Sequence, residues 1–120
     1  MRTIIAGSRT IFDYNVIQQA IQQSGFDITQ IVSGMAKGVD SLAVDYAKNN
    51  GISLASFPAK WIVDGVYRPQ AGYLRNLEMS EHADALIAIW DGKSPGTKHM
   101  VDIAIKRGLA VYVFRLDQEG

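Results

Sequence analysis

Three times in this sequence a short apolar run ends in a loop that joins glycine to a hydroxyl or basic residue. Thr3 to Ala6 leads into Gly7-Ser8-Arg9, Ile28 to Ser33 into Gly34-Met35-Ala36-Lys37-Gly38-Val39-Asp40, and Ala85 to Trp90 into Asp91-Gly92-Lys93-Ser94-Pro95-Gly96-Thr97. Runs that do not alternate with polar residues suit strands buried on both faces, and such strands require a helix layer above and below. The segments after these loops have the helical period. Asp13 is placed to cap a helix carrying Val16, Ile17, Ala20 and Ile21, with Gly25 as its stop. A second helix runs from about Gly38 to Asn50, a third from about Tyr73 to His82, and a fourth from Thr97 to Arg107, stopped by Gly108. Ile52 to Phe57 alternates, as suits an edge strand closed by Pro58, and Ala110 to Phe114 supplies the last strand.

Strands joined by helical crossovers form a parallel sheet, because each crossover is right-handed and returns to the same edge. The expectation is an α/β fold: one Rossmann-like three-layer domain over residues 1–120, with a five-stranded parallel sheet in the order 3-2-1-4-5. The two most apolar runs belong in the middle, and the switch between them lies over Gly7 and Gly92. Residues 59–72 show no periodicity and read as a loop that folds over the crevice, while the tail 117–120 is simply polar.

Composition narrows the chemistry. Lysine plus arginine equals aspartate plus glutamate at 12 each, so no basic surplus argues for a protein that coats duplex nucleic acid. With no cysteine and only His82 and His99, no metal or other cofactor is expected. The N-terminal run is too short for a signal core and nothing approaches a membrane span, so the expected location is the cytoplasm.

The glycine loops point to a phosphate-bearing, nucleotide-like ligand. Loops leaving the carboxyl ends of parallel strands meet at one crevice, where helix starts aim free N–H groups and a positive dipole end. In this reading Gly34, Met35, Ala36 and Gly38, with Gly92, Ser94, Gly96 and Thr97, cradle phosphate, assisted by Gly7, Ser8 and Ser33. Arg9 and Arg75 neutralise its charge, Asn76 adds an amide, and Asp40 or Asp91 accepts from ribose hydroxyls.

Six blocks in order (Gly7-Ser8-Arg9, residues 33–40, residues 57–61, Arg75-Asn76 with Met79, residues 83–88 and residues 91–97) resemble the YspA-like branch of the SLOG superfamily. That superfamily also holds the DNA-processing protein A (Smf) domains and the Lonely Guy phosphoribohydrolases. The resemblance implies sensing or processing of a nucleotide-derived ligand, ADP-ribose-like or NAD-derived. It also implies a homodimer. Arg75 takes the place of the hydrolases' active-site arginine. Their catalytic glutamate, three residues past the loop threonine, is replaced by Met100, which leaves Asp91 as the carboxylate available to an enzyme. Asp102 falls instead with Lys98 and Lys106 on a face of salt-bridge spacing. A phosphoribohydrolase or N-glycosidase and a single-stranded DNA binder stay open beside the sensor.

Plainer roles stand beside the functional ones. Asp40 suits the first turn of a helix on dipole grounds alone, and Thr97 suits an N-cap. Trp61 either pins the long loop or stacks on a base. His82 and His99 read as surface residues, and Met35, Met79 and Met100 as packing residues.

Overall fold

The computed structural model describes residues 1–116, so the polar tail lies outside the described residues. In chain order the elements are β1 (Arg2–Gly7), α1 (Tyr14–Ser24), β2 (Gln30–Ser33), α2 (Val39–Asn49), β3 (Ser53–Ser56), β4 (Ile62–Val63), β5 (Val66–Tyr67), α3 (Ala71–His82), β6 (Ala85–Trp90), α4 (Pro95–Lys106) and β7 (Ala110–Arg115). The main sheet is parallel with order β3-β2-β1-β6-β7, the expected 3-2-1-4-5 arrangement counted over its five strands.

Alternation inside each apolar run builds the three layers. Ile4, Val32, Leu86 and Ala88 pack with Met79, Met100 and Ala104 of α3 and α4 on one face. Their neighbours Ile5, Ile31, Ile87 and Ile89 pack with Ile17, Ala20, Val39 and Ala43 of α1 and α2 on the other. Residues 4–6 of β1 and 85–90 of β6 are thus apolar without alternation because successive side chains enter different layers. Asp13 caps α1 by accepting from the Asn15 N–H at 3.0 Å, and Gly25 closes it at φ 68°, as the sequence requires.

The sequence reading needs correction outside the sheet. Residues 59–72 contain a small antiparallel hairpin, Ile62–Tyr67 and Val63–Val66, turned by Asp64 and Gly65 at φ 52° and 75°. Asp-Gly between apolar pairs is the signature of a tight hairpin turn, and the strands are too short to show periodicity. Met35 does not pack: it sits at φ 61° with 44% of its surface exposed. Thr97 is not the cap of α4. Ser94 holds that position and Pro95 opens the helix, while Thr97 lies one turn in, buried, with its hydroxyl on Ser94 Oγ at 3.2 Å.

The two histidines are also more enclosed than expected. His82 is half-buried, with Nε2 2.8 Å from Gln30 Oε1 and its ring against Phe57, and His99 stands edge-on to Tyr73 with ring centroids 4.4 Å apart.

Candidate functional site

Gly7 of β1 pairs with Ile89 of β6, and the crossovers leave this pair in opposite directions. The crevice opened there is a cavity of about 470 Å³ at the carboxyl ends of the strands, within the range of small-ligand sites. Its walls include Gly7, Ser8, Arg9, Ala36, Asp40, Arg75, Asn76, Asp91, Ser94, Gly96 and Thr97, so four sequence-distant loops converge as expected. Of the other candidates, Gly34 and Met35 line a neighbouring cavity, and Ser33 and Gly38 build the loop beneath.

The glycines serve different ends. A Cβ on Gly7 would collide with the Ile89 carbonyl and stand 2.7 Å from Val39 Cγ2, so this glycine permits close strand and helix packing. Gly38, at φ 71°, would drive a Cβ to 2.5 Å from the Ser8 carbonyl oxygen, which fixes the start of α2 against the loop after β1. Gly34 leaves its space to a side chain: a Cβ there would lie 2.8 Å from Arg75 Cζ and 3.0 Å from Asp40 Oδ2. Gly96 differs from Gly7, Gly34 and Gly38: a Cβ there would meet nothing within 4 Å and would point into open space at the first turn of α4. Gly92 turns its loop at φ 80°.

The hydroxyls are mostly spent on the scaffold. Ser33 Oγ accepts from the Met35 N–H, and Ser8 Oγ accepts from the Asp91 N–H at 3.4 Å. Asp91 Oδ1 accepts from both Lys93 and Ser94 N–H groups at 2.8 Å, shaping the loop into α4. These bonds hold its carboxyl below the ordinary range, so Asp91 is a carboxylate rather than a proton donor. No side chain caps α4; Pro95 has no N–H and the Lys98 N–H is spent on the Ser94 carbonyl, which leaves the N–H groups of the cavity-lining Gly96 and Thr97 without a side-chain cap.

Arg75 reaches across from α3. Its Nη1 donates to the Gly34 carbonyl at 2.6 Å and its Nε donates to Asn76 Oδ1 at 3.1 Å. Asn76 is buried, and this bond fixes its amide orientation. Its Nδ2 then faces the Gly96 carbonyl at 3.4 Å and His99 Nδ1 at 3.1 Å. A donor opposite Nδ1 keeps that nitrogen unprotonated and places the His99 proton on Nε2. Burial lowers the His99 pKa, with Asp102 opposing.

Asp40 is only 6% exposed; its Oδ2 accepts from the Ala36 N–H at 3.1 Å. Burial raises its pKa, against the Ala36 bond and the positive fields of Arg75 and Arg9. Burial in turn works most strongly against the charge of Arg75, which Asp40 supports and Arg9 repels. The centre of the site therefore holds two guanidiniums and one carboxylate that resists ionisation.

The aromatic walls were only partly foreseen. Trp61 stacks on Tyr67 at 6.2 Å and 13°, and its ring edge lies 3.3 Å from where a Gly72 Cβ would be. It is thus pinned by the hairpin while still lining the cavity. Tyr73 and Met79 were missed as lining residues; they share a helix face with Asn76 at three-residue intervals, a signal available once the helix starts at Ala71. Met100, in the place of the hydrolase glutamate, is 1% exposed and packs beneath the cavity. Lys98 and Asp102 form the expected exposed pair at 2.8 Å.

No helix among the described residues is long and apolar enough to cross a membrane. In comparisons with known proteins, residues 1–62 match the model of the YspA, cpYpsA-related SLOG family. The Gene 61 protein of Mycobacterium phage D29 is 32% identical over 123 residues, spanning 94% of this chain and 95% of the phage protein. DNA processing protein A from Streptococcus pneumoniae superposes with a TM-score of 0.73 at 20% identity, a likeness of fold. That match covers 93% of this chain but only 49% of the other, so the chain spans about half the length of that protein. On the family model and the phage relative together, the chain belongs to the YspA-related SLOG family.

Proposed function

We propose that this protein binds a nucleotide or nucleotide derivative, of the ADP-ribose or NAD-derived kind, as a sensor rather than as a catalyst. The observation that carries the reading is the arrangement of cations around the crevice. Arg9 and Arg75 flank a carboxylate that burial discourages from ionising, opposite an uncapped helix start whose Gly96 offers open space. Charge-assisted contacts from a guanidinium, plus N–H groups at a helix start, recognise phosphate; Trp61 and Tyr73 offer faces for a base.

A second reading, hydrolysis of an N-glycosidic bond, is favoured by two carboxylates, Asp40 and Asp91, on the cavity wall. It is weakened by the buried thioether of Met100 where the resemblance requires an acid. Assembly as a homodimer and a cytoplasmic location belong to the same proposal, with the exposed Leu74 and Leu77 of α3 as an apolar face for a second copy. Single-stranded DNA remains the rival ligand, suggested by the name of the structural neighbour and opposed by the balanced charge.

The test is calorimetric titration of AMP, ADP-ribose, NAD and a short oligothymidylate into the purified protein. Saturable binding of the mononucleotide and its derivatives, weakened in Arg75→Ala, supports the sensor; binding of the oligonucleotide alone refutes it. Release of free adenine during the titration would favour the hydrolase.

A further inference from the structure

Asn76 and Tyr73 line the cavity, and His99 backs both of them from α4. The Asn76 amide is spoken for at both ends. Its Oδ1 accepts from Arg75 Nε at 3.1 Å, and its Nδ2 lies 3.4 Å from the Gly96 carbonyl oxygen and 3.1 Å from His99 Nδ1. Arg75 Nε can only donate, so the amide oxygen faces the guanidinium and the NH2 faces the imidazole. We propose that His99 is a positioning residue that makes ligand binding sensitive to pH: its neutral ring holds Asn76, Asn76 aims the Arg75 guanidinium, and protonation at Nδ1 undoes that aim. This inference rests on the nucleotide-binding reading and concerns the regulation of that site, not the identity of the ligand.

The amide has no orientation that satisfies an imidazolium. As it stands, an Nδ2–H would meet the new Nδ1–H. Turned over, Oδ1 would accept from His99, but the NH2 would meet the Arg75 Nε–H and the oxygen would meet the Gly96 carbonyl. A donor faces a donor in either case, and Asn76 is only 7% exposed, so water offers little relief. Swinging the ring into solvent is costly too, because His99 packs edge-on to Tyr73 at 4.4 Å between centroids and its departure would strip support from that cavity-wall ring.

The charged and titratable surroundings of His99 come from the two helices of this layer. On α4, Asp102 favours the imidazolium but is itself paired with Lys98 at 2.8 Å. From α3 come Tyr73 and, behind Asn76, the Arg75 guanidinium. The strand side chains packed in this layer, Ile4, Leu86 and Ala88, are apolar. Burial is the largest influence and lowers the His99 pKa, so the ring is neutral at pH 7 and charges on acidification. Two simpler effects have the opposite sign. A bare positive charge at His99 would attract an anion, and protonation of Asp40 would remove a negative charge from the cavity wall. Both strengthen anion binding in acid, so weakened binding in acid distinguishes the relay from either.

The deciding experiment titrates ADP-ribose into the parent, His99→Asn and His99→Leu at pH 8 and pH 5 by calorimetry. ADP-ribose has no phosphate monoester, a group that loses charge near a pH of about 6 and would mimic the effect. Parent affinity should fall roughly five- to tenfold from pH 8 to pH 5, as expected for disturbing one charge-assisted contact. His99→Asn places a carbonyl oxygen where Nδ1 stands and does not titrate, so it should bind at pH 5 at least as tightly as at pH 8. His99→Leu offers no acceptor and should bind several-fold more weakly than the parent at pH 8, with no further loss in acid. In the ligand-free protein, the Arg75 Nε–H resonance should titrate with the His99 midpoint in the parent and not in His99→Asn. Parent affinity that holds or rises in acid, a fall that persists in His99→Asn, or an Arg75 resonance indifferent to His99 overturns the relay and leaves nucleotide binding standing. No binding of ADP-ribose or AMP at pH 8 overturns both. Circular dichroism melting at each pH shows which variants are folded; if either is not, the pH profile and the Arg75 resonance of the parent decide.

Discussion

Arg75 Nη1 donates to the carbonyl oxygen of Gly34 at 2.6 Å, joining α3 to the loop after β2 across 41 residues of sequence. Only glycine admits this contact, because a Cβ at position 34 would occupy the guanidinium's place. With Nε given to Asn76, two of the five guanidinium N–H groups are committed and the rest are open to a ligand.

Arg75→Ala is expected to weaken nucleotide binding roughly tenfold to a hundredfold, the worth of about 1.5–3 kcal/mol for a charge-assisted contact. Arg75→Lys should recover only part, since an ammonium cannot hold Gly34, Asn76 and phosphate together. Titration calorimetry reads this directly. Unchanged affinity in both variants would remove Arg75 from the site.

The glycines at 38 and 96 should separate fold from binding. Gly38→Val forces a β-branched residue into φ 71° and against the Ser8 and Arg9 backbone, and should cost about 3 kcal/mol or more of stability. Gly96→Val points into open space and should melt close to the parent, yet block the helix start and abolish binding. A Gly96→Val protein that binds normally would show that phosphate lies elsewhere.

Asp40 makes stability depend on pH in an unusual direction. Its folded pKa lies above the ordinary value of 3.8, so between those two values the folded chain keeps a proton that the unfolded chain releases, and stability falls as pH rises. Asp40→Asn keeps an acceptor for the Ala36 N–H without the charge. It should melt above the parent at pH 7, with the difference closing as pH drops below the ordinary carboxylate value. A variant less stable than the parent at pH 7, with the gap closing as the pH drops, would mean that the Arg75 and Arg9 fields outweigh burial.

Little or no free adenine should be released from AMP by the parent. Asp91→Asn, which can still accept from Lys93 and Ser94, should leave binding largely intact. Met100→Glu buries a carboxylate under the cavity and should lower stability by about 2 kcal/mol or more, even if it confers activity. Chromatography for adenine and ribose 5-phosphate checks each. Strong turnover in the parent that survives Asp91→Asn would place the acid elsewhere, Asp40 being the remaining carboxylate on the wall.

Met35→Asn should raise stability by about 0.5–1 kcal/mol, because asparagine tolerates the left-handed region and little burial is lost. Thermal denaturation monitored by circular dichroism tests it. A lower melting temperature would indicate that Met35 packs in solution.

The sheet was legible because its signals are local. Residues 4–6 and 85–90 are apolar at every position, and Asp13 and Gly25 bracket α1 by capping chemistry alone. The convergence of the glycine loops followed from parallel topology. What stayed hidden depends on contacts between distant residues: the room Gly34 leaves for Arg75, the orientation Arg75 imposes on Asn76 and through it on His99, and the exposure of Met35. Asp64-Gly65 carried a readable turn signal, overlooked because each flanking strand is two residues long.

The hairpin from Ile62 to Tyr67 pairs only with itself, yet braces the Trp61 indole on the cavity wall. The main sheet and this part of the wall therefore belong to separable stretches of the chain. Residues 61–67 contribute no rung to the parallel ladder, so exchanging or shortening them would remodel one side of the crevice while every pairing of the five-stranded sheet survives.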